Sequence, residues 1–274
     1  MNKVTRRTSL IAVFFLLVTV CLFLFGCQSN VEANRRRRIN SINHRGYVDA
    51  PENTLVAFRM SKEKGFDIVE CDVNFTKDNQ PVLLHDHTVN RTSNGSGRIR
   101  EMTLSEVKQL DFGAWKDEKF TGERIPTFQE FIALCVELDL HPYVEIKNSV
   151  TLQQARKLVE IANKTKITVT WLSRDRDVLT LISQLRNGDR IGLLAEIITF
   201  DALRFLSHLS KTVNVFVDCF YPTLTKSQIR RCKLFKIPLE VWTVNSQSLV
   251  ENIDPYITGV TSNSINAQQL FNNM

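Results

Sequence analysis

From residue 39 onward the sequence predicts an α/β fold, a (β/α)8 barrel with a β-hairpin and a long insertion after its second strand. Three observations predict it. Short apolar runs alternate with amphipathic stretches, the pattern of a parallel sheet whose crossovers are helices. Eight such runs fall within about 235 residues, close to the ~250 usual for this barrel. Residues capable of acid–base and ion chemistry gather where successive runs end. The composition agrees: 43% hydrophobic residues, 10 Gly and 7 Pro in 274 residues exclude collagen-like, low-complexity and disordered classes.

The elements follow in order. Residues 39–43 read as the first strand, 54–64 as the helix after it, and 67–73 as the second strand. Residues 81–84 form another extended run, but only five residues, Thr76 to Gln80, separate it from the strand before. A parallel neighbour needs a crossover of a dozen or more residues, so this link is a hairpin and 73–85 an antiparallel excursion. Residues 86–126, with Gly95, Gly97, Gly113 and Gly122, form the insertion above the barrel mouth. A helix over 127–139 leads to the third parallel strand, 143–146. Helices over 152–162, 177–185, 203–209 and 225–235 then alternate with strands over 167–172, 190–194 and 213–217, and two last strands cover 239–244 and 256–260. Residues 39–274 are thus one barrel domain.

The N-terminus reads as an address. Residues 1–9 carry Lys3, Arg6 and Arg7 and no acid, residues 10–25 are an apolar run, and Gly26-Cys27 follow. A basic segment, an apolar core and a small residue describe a secretory signal. At ~1.5 Å per residue the run spans roughly 24 Å, short of a ~30 Å hydrocarbon core. Leu24-Phe25-Gly26-Cys27 resembles a bacterial lipobox, with residues 1–26 removed as a signal peptide and Cys27 lipidated. The alternatives are an uncleaved N-terminal anchor or a secreted chain. Residues 27–38 then form a basic tether whose Arg35 to Arg38 lie within reach of anionic lipid or wall polymer, or serve as a solvated linker. The expected location is extracytoplasmic, lipid-anchored at the cell membrane.

Residues 1–38 hold seven Lys or Arg against one acid, Glu32, so the totals of 35 and 29 leave the remainder balanced. A nucleic-acid groove marks the folded domain itself with basicity, and this domain has none to spare. Cys71, Cys135, Cys219 and Cys232 are too scattered for zinc or for a disulfide scaffold, and read as core thiols.

In a barrel of this kind chemistry sits where strands end at the C-terminal face. Strand one ends in His44-Arg45-Gly46, strand two carries Glu70-Cys71-Asp72, the hairpin returns to His85-Asp86, and the third parallel strand ends in Glu145-Ile146-Lys147. Residues two apart on a strand share a face. Glu70 and Asp72 therefore project together, as do Glu145 and Lys147, while Cys71 and Ile146 face the helices. Three carboxylates at one mouth repel: at ~4 Å and an effective dielectric near 20, each like pair costs about 4 kcal/mol. Either protonation or a cation relieves this, and carboxylate oxygens select Mg²⁺ or Ca²⁺. Arg45 and Lys147 beside it suit an anionic substrate such as a phosphate, and His44 and His85 suit a general acid–base pair.

These stretches resemble the glycerophosphodiester phosphodiesterase family. Beyond those quoted, the matching segments are Ala50-Pro51-Glu52-Asn53-Thr54, Thr76-Lys77-Asp78, residues 81–86 (PVLLHD), residues 91–95 (RTSNG), Ile125-Pro126-Thr127 and residues 241–245 (VWTVN), in the family's order. The resemblance implies a TIM barrel that hydrolyses glycerophosphodiesters to sn-glycerol 3-phosphate and an alcohol with one divalent cation. It implies that Glu70, Asp72 and Glu145 hold the cation, that His44 and His85 are the acid–base pair, and that Arg45 and Lys147 bind phosphate. Trp242 would pack against the glycerol or the leaving group, and Glu52 would support the site or act as a helix N-terminal acid. In such enzymes the glycerol 2-hydroxyl attacks phosphorus and water opens the resulting cyclic phosphate. The chain departs from the family at Ser173-Arg174, where Ser-Phe is common, and at Ser262-Asn263, where Thr-Asp is usual; both border the mouth. The substrates that fit are head-group diesters, lysophospholipids or a glycerol-phosphate polymer. A non-catalytic barrel that binds wall polymer or lipid and a lysophospholipase D-type enzyme are the alternatives. No feature indicates an oligomeric state.

Overall fold

Eight parallel strands close on themselves. In the structure, a computed structural model that describes residues 38–186 and 188–273, the barrel starts at β1 (Asn40–His44) and β2 (Ile68–Phe75). The short β3 (Pro81–Leu83) follows, then β4 (His141–Ile146), β5 (Thr170–Ser173), β6 (Arg190–Ala195), β7 (Asn214–Phe220), β8 (Leu239–Trp242) and β9 (Ile257–Ser262). β1 pairs with both β2 and β9, which shuts the ring, and every pair within the ring is parallel. β3 lies antiparallel on β2, with Val73 opposite Leu83, as a five-residue link demands. The expected signal peptide, the lipidation of Cys27 and the basic tether up to Arg37 lie outside the described residues.

The outer layer is α1 (Leu55–Glu63), α2 (Leu104–Val107), α3 (Phe128–Glu137), α4 (Leu152–Thr165), α5 (Arg176–Leu185), α6 (Phe200–Leu209), α7 (Lys226–Phe235), α8 (Gln247–Glu251) and α9 (Ala267–Asn272). Their starts are written in the sequence. Thr127, Thr151 and Thr225 each accept the amide three residues on, and Glu130, Gln154 and Gln228 reach back to the capping amide. Each such cap is worth about 1 kcal/mol. Between helices and strands lies the main core, around Phe58, Phe128, Phe131, Trp171 and Phe271. A second cluster, Ile42, Tyr143, Leu172, Leu194 and Phe216, fills the barrel interior. The segment between β3 and α3 builds a core of its own from Val82, Leu84, Val89, Ile99, Val107, Phe112 and Ile125.

Several boundaries differ from the sequence pattern, two of them for visible reasons. β5 begins at Thr170, not at residue 167, because the Val169 amide is bound by the Asp189 carboxylate at 3.1 Å. α6 begins at Phe200, a turn early, because Thr199 caps it through the Ala202 amide. The short α8 and α9 offer too few residues to show a period.

Candidate active site

Strand register brings the polar residues together. His44 stands opposite Glu70 across β1–β2, and Asp72 opposite Glu145 across β2–β4. Glu70 and Asp72 point inward and are buried, while Cys71 between them joins the outer core. One oxygen from each of Glu70, Asp72 and Glu145 lies within 4.8 Å of the others. Metal–oxygen bonds of roughly 2.0–2.6 Å span such separations.

The loop after β1 locks this group. Gly46 has φ +83°, and a Cβ there would meet the Ala57 Cβ at 2.6 Å, so only glycine permits the turn. The turn aims the Arg45 amide at Glu70 Oε2 (3.0 Å) and Arg45 Nε at Asp72 Oδ2 (3.1 Å). Asn53 clamps Asp72 twice, its Nδ2 donating to Oδ2 (2.9 Å) and its Oδ1 accepting from the Asp72 amide (3.1 Å). Lys147 Nζ lies 2.9 Å from Glu145 Oε1 and 3.3 Å from Asp72 Oδ1.

The electrostatics are those of a crowded anionic cluster. Burial, and then the charges of Asp72 and Glu145, push Glu70 well above the carboxylate range. Burial and the Asp72 charge push Glu145 up to about 7. Asp72 goes the other way: burial opposes ionisation, but Arg45 and Lys147 outweigh it and hold the group below the usual range. Its Oδ1 is sealed from solvent and makes no hydrogen bond among the described residues, its contact being the Lys147 ion pair at 3.3 Å. The donor set, three carboxylates with hard oxygens, fits Mg²⁺ or Ca²⁺ and not a soft metal.

Two imidazoles flank the cluster in unlike settings. His44 Nδ1 lies 2.8 Å from Asn263 Oδ1, a neutral acceptor that fixes the proton on Nδ1 and leaves Nε2 free. Burial and the Arg45 charge lower its pKa to about 4. His85 Nδ1 lies 2.6 Å from Asp86 Oδ1, yet burial and, in the same direction, the Arg45 charge still bring its pKa below the ordinary value. Arg91 joins the two sides. It contacts Asp86 through Nε (2.7 Å) and Glu52 through Nη1 (2.7 Å) and Nη2 (2.8 Å), and Glu52 in turn binds Arg45 at 3.0 Å.

Two cavities meet at His44 and Arg45. The deeper, about 50 Å³, is bordered by Glu70, His85, Glu145, Lys147 and Asp218, with Leu172, Leu194 and Trp242 as apolar wall. The roomier, about 160 Å³, runs beneath Tyr47, Val48, Trp115 and Lys116. Trp242 Nε1 donates to the Asp218 carbonyl (3.2 Å), and the Arg174 guanidinium sits 5.2 Å from its ring centroid. All of His44, Arg45, Glu52, Glu70, Asp72, His85, Glu145, Lys147 and Trp242 therefore gather at one rim; Glu52 stands one residue removed, through Arg45 and Arg91.

The sequence reading gave no role to Asn53, Asp86, Arg91, Asn263 or Asp218. Asp218 carries a signal that alternation would have revealed: Phe216 and Asp218 share the inward face of β7, while Val215, Val217 and Cys219 pack outward.

Three acids close enough to share one ion, two imidazoles, and paired cations at the mouth of a (β/α)8 barrel fit a metal-assisted hydrolase of phosphodiesters. The chain belongs to the glycerophosphoryl diester phosphodiesterase family, whose model matches residues 44–267. It is 33% identical over 218 residues to a glycerophosphodiester phosphodiesterase of Caldanaerobacter subterraneus subsp. tengcongensis, covering 77% of this chain and 88% of that one. A Bacillus subtilis glycerophosphodiester phosphodiesterase is 26% identical over 249 residues, 82% of this chain and 84% of that one. Among solved structures, an Oleispira antarctica phosphodiesterase in complex with the product sn-glycerol-3-phosphate superposes with a TM-score of 0.79 at 25% identity, covering 86% of this chain and 97% of that one. The enzyme hydrolyses glycerophosphodiesters.

Proposed function

We propose that the chain works outside the cytoplasmic membrane, tethered by a lipid on Cys27, and cleaves glycerophosphodiesters to sn-glycerol 3-phosphate and an alcohol with one Mg²⁺ or Ca²⁺. The observation that carries the catalytic reading is the triad of carboxylate oxygens within 4.8 Å of one another, bordered by two imidazoles in one cavity. Glu70, Asp72 and Glu145 would hold the cation, which when bound supplies Lewis-acid neutralisation of phosphate charge. Arg45 and Lys147 orient the phosphate from either side of Asp72. One imidazole takes the proton of the glycerol 2-hydroxyl as its oxygen attacks phosphorus; the other gives a proton to the departing alcohol oxygen, and the same pair serves when water opens the ring. The deeper cavity takes the small glycerol unit and the roomier one the leaving alcohol, which makes head-group diesters and glycerol-phosphate polymer both admissible. The product bound by the Oleispira antarctica relative supports this substrate class.

The test offers glycerophosphocholine to the purified chain and follows glycerol 3-phosphate. Chelator abolishes release, and Mg²⁺ or Ca²⁺ restores it; full turnover in chelator overturns the metal. In cells, labelled fatty acid enters the wild type and not the Cys27→Ser chain; labelling of the mutant overturns the anchor.

A further inference from the structure

Asp218 is a buried acid that the proposed reaction does not use. Its residue is 2% exposed, its side chain borders the deeper cavity, and its Oδ1 has no hydrogen-bond partner among the described residues. Arg190, the cation whose charge reaches it, makes its hydrogen bonds elsewhere, to Glu240 Oε1 at 2.6 Å and the Tyr143 hydroxyl at 2.9 Å. It is also outside the carboxylate triad that fits a dication. A buried, unpaired polar group is costly, so a side chain kept in that state at a cavity wall points to a partner that arrives from the cavity.

The cavity says what that partner is. At one end stand the phosphate-facing groups Arg45 and Lys147 and the two imidazoles; at the other, Asp218 stands in register between Leu194 on β6 and Glu240 on β8. A glycerol unit laid in with its phosphate against the cations and its 2-hydroxyl against an imidazole has one polar group left, the terminal hydroxyl. Leu172, Leu194 and Trp242 offer its carbons apolar wall and its oxygen nothing. Arg174 and Thr261 also border the cavity, but Arg174 lies over the Trp242 ring, and of the cavity's far wall it is the Asp218 carboxyl that has a buried oxygen without a hydrogen-bond partner among the described residues. Burial, and then the charges of Glu240 and Glu145, raise the pKa of this carboxyl well above the carboxylate range. A neutral carboxyl both donates to and accepts from a hydroxyl.

We propose that Asp218 receives the terminal hydroxyl of the glycerol unit and is the residue by which the site selects glycerol diesters over diesters of a diol that lacks it. The proposal rests on the hydrolytic reading above. A site built to bond a hydroxyl rejects the analogue without it far more strongly than an apolar wall would, because its own polar group is then left unpaired.

The experiment uses the full chain, metal-loaded, with two substrates that release choline: glycerophosphocholine and 2-hydroxypropyl phosphocholine. The second keeps the attacking hydroxyl and lacks the terminal one. The wild type is expected to prefer the first by on the order of 10²-fold or more in kcat/KM. Asp218→Leu is expected to bring the two within about three-fold, while Asp218→Asn, which still donates and accepts, keeps most of the preference. Folding is checked by circular dichroism, and Asp218→Ala replaces the Leu variant if that one does not fold. A wild type that treats both substrates alike overturns the proposal, as does a folded Leu or Ala variant that discriminates as the wild type does. Absence of choline release from either substrate by the wild type overturns the hydrolytic reading instead.

Discussion

Arg91 is the tie between the two sides of the rim, and its removal tests how far the acids depend on one another. The side chain makes contacts of 2.7 and 2.8 Å to Glu52 and of 2.7 and 3.2 Å to Asp86. It is 44% exposed, so solvent screens each pair to the ~0.2–1 kcal/mol of surface ion pairs, with two bidentate forks at the upper end. Arg91→Ala should thus cost roughly 1–2 kcal/mol, or about 2–6 °C in the thermal midpoint of a chain this size. The effect on catalysis is larger in kind. The Arg91 bonds first, and then the His85 bond, outweigh burial and hold Asp86 at about 2; without the guanidinium its carboxylate turns wholly to His85 and stabilises the imidazolium. The His85 titration then moves up, and the pH profile of kcat/KM shifts with it. Loss of an outer partner of this sort costs ~10–100-fold in activity or metal affinity. Arg91→Lys keeps the charge but not the fork and should recover only part. The assays are thermal unfolding and kcat/KM against pH on metal-loaded protein. A variant with unchanged midpoint, rate and profile would refute the coupling.

Two further outcomes follow from the charges at the rim. Glu145 at about 7 and Glu70 above the usual range must both lose protons to bind a dication; affinity for Mg²⁺ or Ca²⁺ should rise with pH through about 7, with proton release seen by calorimetry in buffers of different ionisation enthalpy. Affinity that stays flat across that range contradicts the protonated cluster. Asn263→Asp sets a carboxylate against His44 Nδ1, which favours the imidazolium and raises its pKa from about 4; imidazole NMR reads the shift, and no upward movement would mean that the amide contact is not the one that holds the ring.

The barrel was visible in the sequence because each of its strands is apolar and each crossover amphipathic, and because five residues cannot cross between parallel neighbours. The cluster was visible because strand ends and period two place Glu70, Asp72 and Glu145 before any coordinate is known. What the sequence withheld depends on chain returning from afar. Asn263 reaches His44 across 219 residues, and Arg91 reaches Glu52 only because the segment after β3 folds back on its own core. Neither carries a local pattern. The lost start of β5 belongs to the same class, since a distant carboxylate took the amide of Val169.

The reacting groups all come from β1, β2, the β3 hairpin and β4, within residues 44–147, whereas Leu172, Arg174, Leu194, Asp218 and Trp242 come from the strands beyond. One arc of the ring carries the bond-breaking groups, and the opposite arc lines the deeper cavity assigned above to the glycerol unit. A designer who kept Asn263 behind His44 could therefore graft the later strand ends of one relative onto the earlier half of another and trade the glycerol unit for another polyol, leaving the acids and imidazoles undisturbed.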